Sequence, residues 1–185
     1  MTETAAPTLE LAGEYAIDPA HSRIGFTARH AMVTKVRGSF GEFSGSAHID
    51  ADPTASSTEI RIQTVSFTTN QDQRDGHVKS DDFLAVEAYP EITFRSTSVE
   101  KAGDDVYRIS GDLTIRDITK PITVDFEATG VAKDPFGNIR AGFEGATTIN
   151  RKDYGITFNA ALETGGVLLS EKIGLEFDIS AIKQS

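Results

Sequence analysis

The chain of 185 residues has the length of one domain or a tight pair, enough for one sizeable core. With 18 Lys and Arg against 28 Asp and Glu, its formal charge of −10 repels phosphate backbones and anionic membranes, which argues against nucleic-acid binding. The lack of cysteine excludes disulfides, thiolate nucleophiles and sulfur-ligated metal sites.

Thr, Ile and Val together number 46 against 8 Leu, a β-branched balance that points to an all-β fold. Residues 1–13 are polar and read as a disordered arm, which leaves residues 14–185 as the domain. The first ten residues carry neither a basic cluster nor an apolar run of signal-peptide length, and no membrane-spanning run occurs later, so a cytoplasmic protein is expected.

From Ser22 the pattern alternates. Ile24, Phe26, Ala28 and His30 share one face while Arg23, Thr27 and Arg29 take the other, the period of a half-buried strand. The same period recurs from Phe43 to Ile49, Ile60 to Thr64, Ile92 to Phe94, Ile109 to Ile115, Ile122 to Ala128 and Ile173 to Ile179. Parity slips between Phe40 and Phe43 and between Ile62 and Val65 read as β-bulges. Turns are expected at Asp52-Pro53, at residues 102–105 and at residues 133–138, so neighbouring strands run antiparallel. Two stretches depart from the alternation. Gln71 to Val86, with Val78, Phe83 and Val86 as an apolar stripe, predicts a short helix, and residues 159–172 predict an irregular excursion.

Eight or nine long strands with one apolar face each must close into a barrel or stack as a sandwich to hide their edges, and their length favours a barrel. Ala28, Gly45, Ala47, Gly111 and Ala128 on the apolar face suit either a ligand space or the taper of a filled barrel.

Motifs for serine hydrolases, zincins, nucleotide loops and dinucleotide folds are absent. His21, His30, His48 and His77 have no ligand spacing, so hydrogen-bonded structural roles are expected of them and neither metal nor cofactor is. Asp75 reads as a helix N-cap. Arg29, His30, Lys35 and Arg37 place four potential cations within nine residues of an acidic chain, either as anion partners or as solvated side chains paired with nearby carboxylates.

The segments Ile17-Asp-Pro-Ala-His-Ser22, Gly38-Ser-Phe40, Phe43-Ser-Gly45, Arg74-Asp-Gly-His77, Tyr89-Pro90, Gly111-Asp-Leu-Thr114, Thr119-Lys120 and Arg151-Lys-Asp-Tyr-Gly155 resemble, in order, the YceI-like polyisoprenoid-binding family. Phe26, His30 and the run from Lys79-Ser80 to Phe83 belong to the same pattern, which spans residues 14 to 182. The resemblance implies an extended eight-stranded antiparallel lipocalin-like barrel, often a homodimer, holding a long isoprenoid or another amphiphile such as a quinone or fatty chain. It brings no settled reaction, so no enzyme is expected. Many members are periplasmic and begin with a signal peptide; this start resembles the family's cytoplasmic branch.

Alternation assigns Phe26, Phe40, Phe94, Ile109, Leu113, Val124, Phe126, Leu175 and Phe177 to the wall of the ligand tunnel. His30 is expected to point inward as a neutral hydrogen-bonding group, with Arg29, Arg37, Lys79 and Arg151 as head-group candidates. Two other functions compete: an acid–base enzyme using His30 with Asp75 or Asp82, and a structural protein whose barrel is filled. The apolar residues between Leu162 and Leu169 have no evident place inside and are expected to cover a partner in a two-fold dimer.

Overall fold

Each alternating segment forms a strand in a computed structural model of the chain, which describes residues 10–160, 162 and 168–184. The strands are β1 (Gly13–Ile17), β2 (Arg23–His30), β3 (Thr34–Phe40), β4 (Phe43–Ile49), β5 (Ser57–Gln63), β6 (Phe67–Thr68), β7 (Glu91–Lys101), β8 (Val106–Ile115), β9 (Ile118–Lys133), β10 (Ile139–Asn150) and β11 (Lys172–Lys183). All pairings are antiparallel.

These segments build eight staves, because three staves are broken in the middle. β11 pairs with β2 from Gly174↔Thr27 to Asp178↔Arg23 and then with β1 from Ala181↔Ile17 to Lys183↔Tyr15, so β1 and β2 form one interrupted stave. β3 and β4 lie against β2 and β1, and β6 and β5 lie in turn against β3 and β4. From β5 the sheet runs through β7, β8, β9 and β10 to β11, which closes on the first stave. Closure removes every long edge. The expected eight-stranded antiparallel barrel is the fold.

The two parity slips are breaks in the staves rather than bulges. At Gly41-Glu42 the chain leaves the ladder, and its backbone groups are taken up by Ser66 and Gln63: Gly41 N–H donates to the Ser66 carbonyl, and Gln63 N–H to the Glu42 carbonyl. After Ile62 a 3-10 turn at Thr64–Ser66 separates β5 from β6 and leaves Val65 exposed. The break in the first stave is a 3-10 turn at Pro19–His21, capped by the Asp18 carboxylate on Ala20 N–H. There Ser22 Oγ restores the lost ladder bonds, accepting from Ser180 N–H and donating to the Ser180 carbonyl. True bulges occur at Ser96/Ser98 and Gly142/Phe143.

The helix is shorter than its stripe predicts. α1 spans Asp72–Lys79, and Ser80 turns extended to end it. Residues 80–89 continue in turns tied to Val78, Lys79 and Ser80 carbonyls, and these turns still bury Phe83 and Leu84. The N-cap is Gln71, whose side-chain oxygen accepts from Arg74 N–H, not Asp75. At the N-terminus residues 10–13, expected in the arm, are placed: Gly13 begins β1, and Leu11 packs against the Tyr15, Ala141 and Ala181 cluster while its carbonyl accepts from Tyr15 Oη.

The barrel has two unlike ends. One end gathers the β2–β3 turn, the β8–β9 turn, residues 64–90 with α1, and residues 151–160 and 168–171; the other gathers the turns at 50–56, 102–105 and 134–138. β11, with 12 residues, extends about 40 Å at about 3.3 Å per residue, which a typical strand tilt reduces to a barrel height of about 30 Å.

Candidate ligand-binding site

Inside the barrel the inward side chains leave two adjacent cavities. The narrow one holds about 150 Å³ and lies toward the 50–56 turn; the wide one holds about 710 Å³ and lies under α1, residues 151–158 and residues 168–169. Phe40, Ile92, Ile115 and Leu175 line both and form the waist between them.

Glycines seat the large rings of the wall. Phe26 lies over Gly38, its cross-strand partner, where a Cβ would overlap the ring. Phe126 lies over Gly145, where a Cβ would come within 2.8 Å of its ring. Phe26 also stacks on Phe67 with ring centroids 4.8 Å apart, and Phe126 meets Phe177 at 5.7 Å. The small residues thus hold the aromatics flat against the wall and keep the interior open.

Of the residues read as tunnel wall, Phe94, Ile109, Leu113, Phe126 and Phe177 line the narrow cavity, Phe40 and Leu175 the waist, and Phe26 the wide cavity. Val124 is buried but lines neither; its partner Ile109 and its same-face neighbours Ile122 and Phe126 form the surface there. His30 faces the wide cavity, yet as the last residue of β2 it stands at the rim and is exposed rather than desolvated.

The head-group cations separate. Arg29 and Arg37 occupy the outer face of the β2–β3 hairpin, and Lys79 ends α1; none lines a cavity. Arg151 does line the wide cavity and is only 3% exposed. Its Nε donates to the Ser170 carbonyl at 2.9 Å, Nη1 to the Ile156 carbonyl at 2.8 Å and Nη2 to the Leu169 carbonyl at 3.4 Å. Arg151 therefore pins the returning chain over the barrel mouth, and burial lowers its pKa from the ordinary arginine value. Asn159 completes the tie, bonding both the N–H and the carbonyl of Leu169.

The wide cavity has a roof that alternation alone did not identify as a site: Phe83, Tyr154, Ile156 and Phe158. His77 packs edge-on against Phe83 and Phe158, with centroids 5.0 and 5.1 Å away, while its Nε2 pairs with Asp82 at 2.9 Å. Tyr154 is almost fully buried, and desolvation pushes its phenol up to about 12. The apolar cluster in residues 83–86 and 154–158 was the signal available for this roof.

Neither Asp75 nor Asp82 is hydrogen-bonded to His30. Asp75 accepts from Thr69 N–H at 2.8 Å, Thr69 Oγ1 at 2.6 Å and Thr68 Oγ1 at 3.2 Å. Burial alone would raise its pKa, but those hydrogen bonds outweigh it and hold the carboxylate ionised. His21 pairs with Asp18 and His48 with Glu14, the structural roles expected of them. Most of the Leu162–Leu169 segment read as a dimer surface lies outside the described residues.

Polar groups gather toward the two ends. His30, Thr69, Gln71, Arg74, His77 and Arg151 face the wide cavity and His48, Ser56, Ser57 and Thr58 line the far end of the narrow one, whereas the middle, from Ile60 and Ile62 across to Ile179, is apolar. The closed antiparallel barrel thus encloses a two-lobed, mostly apolar interior with polar side chains toward its ends. The family model of the YceI-like domain matches residues 15–181, and the chain belongs to that family.

It is 40% identical over 167 residues to a UPF0312 protein of Shewanella sp. (strain ANA-3), covering 89% of this chain and 87% of the relative. A UPF0312 protein of Ectopseudomonas mendocina (strain ymp) is 40% identical over 165 residues, covering 86% of each chain. Among solved structures it is similar to BcnA of Burkholderia cenocepacia, with a TM-score of 0.78, 22% identity and coverage of 89% of this chain and 98% of that one. It is also similar to the YceI protein of Campylobacter jejuni, with a TM-score of 0.71, 31% identity and coverage of 85% and 90%. A domain of Saccharophagus degradans described as polyisoprenoid-binding shares the fold, with a TM-score of 0.70, 15% identity and coverage of 92% and 98%.

Proposed function

We propose that the protein carries a long-chain isoprenoid or comparable amphiphile, its tail threaded through the waist into the narrow cavity and its head group in the wide one. The observation that carries this reading is a pair of adjacent, mostly apolar cavities along the barrel axis that share Phe40, Ile92, Ile115 and Leu175, with the cationic and histidine side chains Arg74, Arg151, His30 and His77 gathered in the larger one. The barrel height of about 30 Å equals the hydrocarbon thickness of a whole bilayer, so the interior suits a chain longer than one leaflet's acyl tail. The name of the Saccharophagus domain supports an isoprenoid.

The energetics suffice without a covalent step. Burying about 500 Å² of chain at about 25 cal/mol per Å² yields about 12 kcal/mol, and about 4 kcal/mol of ordering cost leaves micromolar affinity. His30 stands where a quinone, amide or phosphate oxygen of the head would lie, and it adds one hydrogen bond.

Native mass spectrometry of the purified protein, followed by lipid extraction, tests the reading. A co-purifying long-chain molecule, or uptake of an added prenyl alcohol, supports it; a protein that takes up neither contradicts it. His30→Leu should weaken polar-headed ligands by about 1 kcal/mol while sparing hydrocarbons, and His30→Gln should preserve both.

A further inference from the structure

The rim of the wide cavity carries a feature that ligand binding does not explain. Between β2 and β3 the chain turns through Ala31 and Met32, both in the left-handed region with φ of 51° and 64°. Such turns favour Asn-Gly, because a β-carbon is disfavoured at positive φ. Instead of a small polar tip, this one presents Met32 at 62% and Val33 at 76% exposure.

Directly below the tip, Arg29 stands opposite Lys35 in the cross-strand register, and Arg37 follows opposite Thr27. Like charges facing one another across a ladder repel. Among the described residues no carboxylate lies within 4 Å of any of these three cations. A strained turn, exposed apolar side chains and a cluster of cations without a carboxylate partner among the described residues thus coincide on one hairpin of a chain whose net charge is −10.

We infer that the β2–β3 hairpin docks the barrel on an anionic lipid bilayer, with Met32 and Val33 entering the interface and Arg29, Lys35 and Arg37 on the phosphates. Interfacial anchors combine these two elements, apolar side chains at the boundary and basic ones at head-group level. The overall negative charge does not forbid this: Asp81, Asp82, Asp117 and Asp153 share this end of the barrel, but none pairs with Arg29, Lys35 or Arg37, and fields are screened beyond about 8 Å. Docked in this way, the wide mouth beside His30 faces the membrane, and an amphiphile passes from bilayer to barrel without crossing water. The inference extends the carrier reading but is measured apart from it.

Sedimentation with phosphatidylcholine vesicles, with and without phosphatidylglycerol, is the test. The account predicts binding that requires the anionic lipid and weakens with salt. Lys35→Gln with Arg37→Gln should lower it about 25-fold, about fivefold for each cation. Met32→Ser with Val33→Ser should lower it about tenfold. Met32→Gly, which relaxes the turn, should raise the melting temperature while reducing vesicle binding. Phe136→Ser, at the exposed tip of the opposite end, should leave binding unchanged.

Absence of vesicle binding, indifference to phosphatidylglycerol, or loss with Phe136→Ser but not with the Met32 and Val33 changes would overturn the inference. Uptake of a soluble fluorescent prenyl probe by the Met32→Ser and Val33→Ser variant reports the carrier reading separately and should match the parent.

Discussion

The waist between the two cavities makes a prediction about ligand length. Leu175→Phe adds bulk where Phe40, Ile92, Ile115 and Leu175 converge, and it closes the passage while leaving both cavities in place. Take a long ligand that buries about five methylenes in the narrow cavity. At about 0.8 kcal/mol per buried methylene, exclusion from it costs a long ligand about 4 kcal/mol, or about a thousandfold in Kd.

The assay is displacement of a fluorescent probe by prenyl alcohols of increasing length, with guanidinium denaturation to measure the overpacking cost of about 1–3 kcal/mol separately. In the parent, affinity should rise with length until the tail fills the narrow cavity. In Leu175→Phe it should rise identically for short chains and then level off early. An equal loss at every length, or no loss for the longest chains, would refute a tunnel shared by the two cavities.

Phe94→Glu and Phe126→Glu place an unpaired carboxylate in the apolar tunnel, and variants that fold should lose probe binding while Phe136→Glu on the surface retains it. Gly38→Ala puts a Cβ into the Phe26 ring and should destabilise the barrel by about 1–3 kcal/mol in denaturant titration. At the narrow end Arg140 bridges Asp18 at 2.7 Å and Asp134 at 2.8 Å. Burial opposes the ionisation of Asp134, but its hydrogen bonds from Arg140, Asn138 and Phe136 prevail and hold its pKa at about 2. A carboxyl lowered on folding stabilises the native state above its unfolded pKa of about 4 and loses that contribution as pH falls through about 2. The melting temperature should therefore drop across that window, and Asp134→Asn should flatten the drop.

The strands were legible because period two is local: Ile24, Phe26 and Ala28 declare their face without help from distant residues. The breaks were harder to read, since a one-residue slip looks the same for a bulge and for a stave that stops. What decides is the partner of Gly41 N–H, the Ser66 carbonyl, and no local pattern announces it. Period two also gives a face but not a depth. His30 was assigned the correct face, yet its place at the end of β2 puts it at the rim rather than in the core.

Arg151 is legible as a cation facing the ligand space, but its ties to the carbonyls of residues 156, 169 and 170 follow from chain segments that no local pattern brings together. Arg29 and Lys35 were visible as a charge reversal, but only their opposed register shows that they repel each other. The roof over the wide cavity comes from turns and loops, where side-chain direction follows tertiary contacts rather than a repeat.

The central claim is that one extended chain occupies both cavities with its head near His30. A crystal structure with a long prenyl alcohol brominated at its tail end tests this most directly, because anomalous scattering locates the bromine independently of the rest of the ligand. The account predicts the bromine beside Phe126 and Phe177, beyond the waist. A bromine in the wide cavity, near Phe83 and Phe158, or on the outer surface would contradict it.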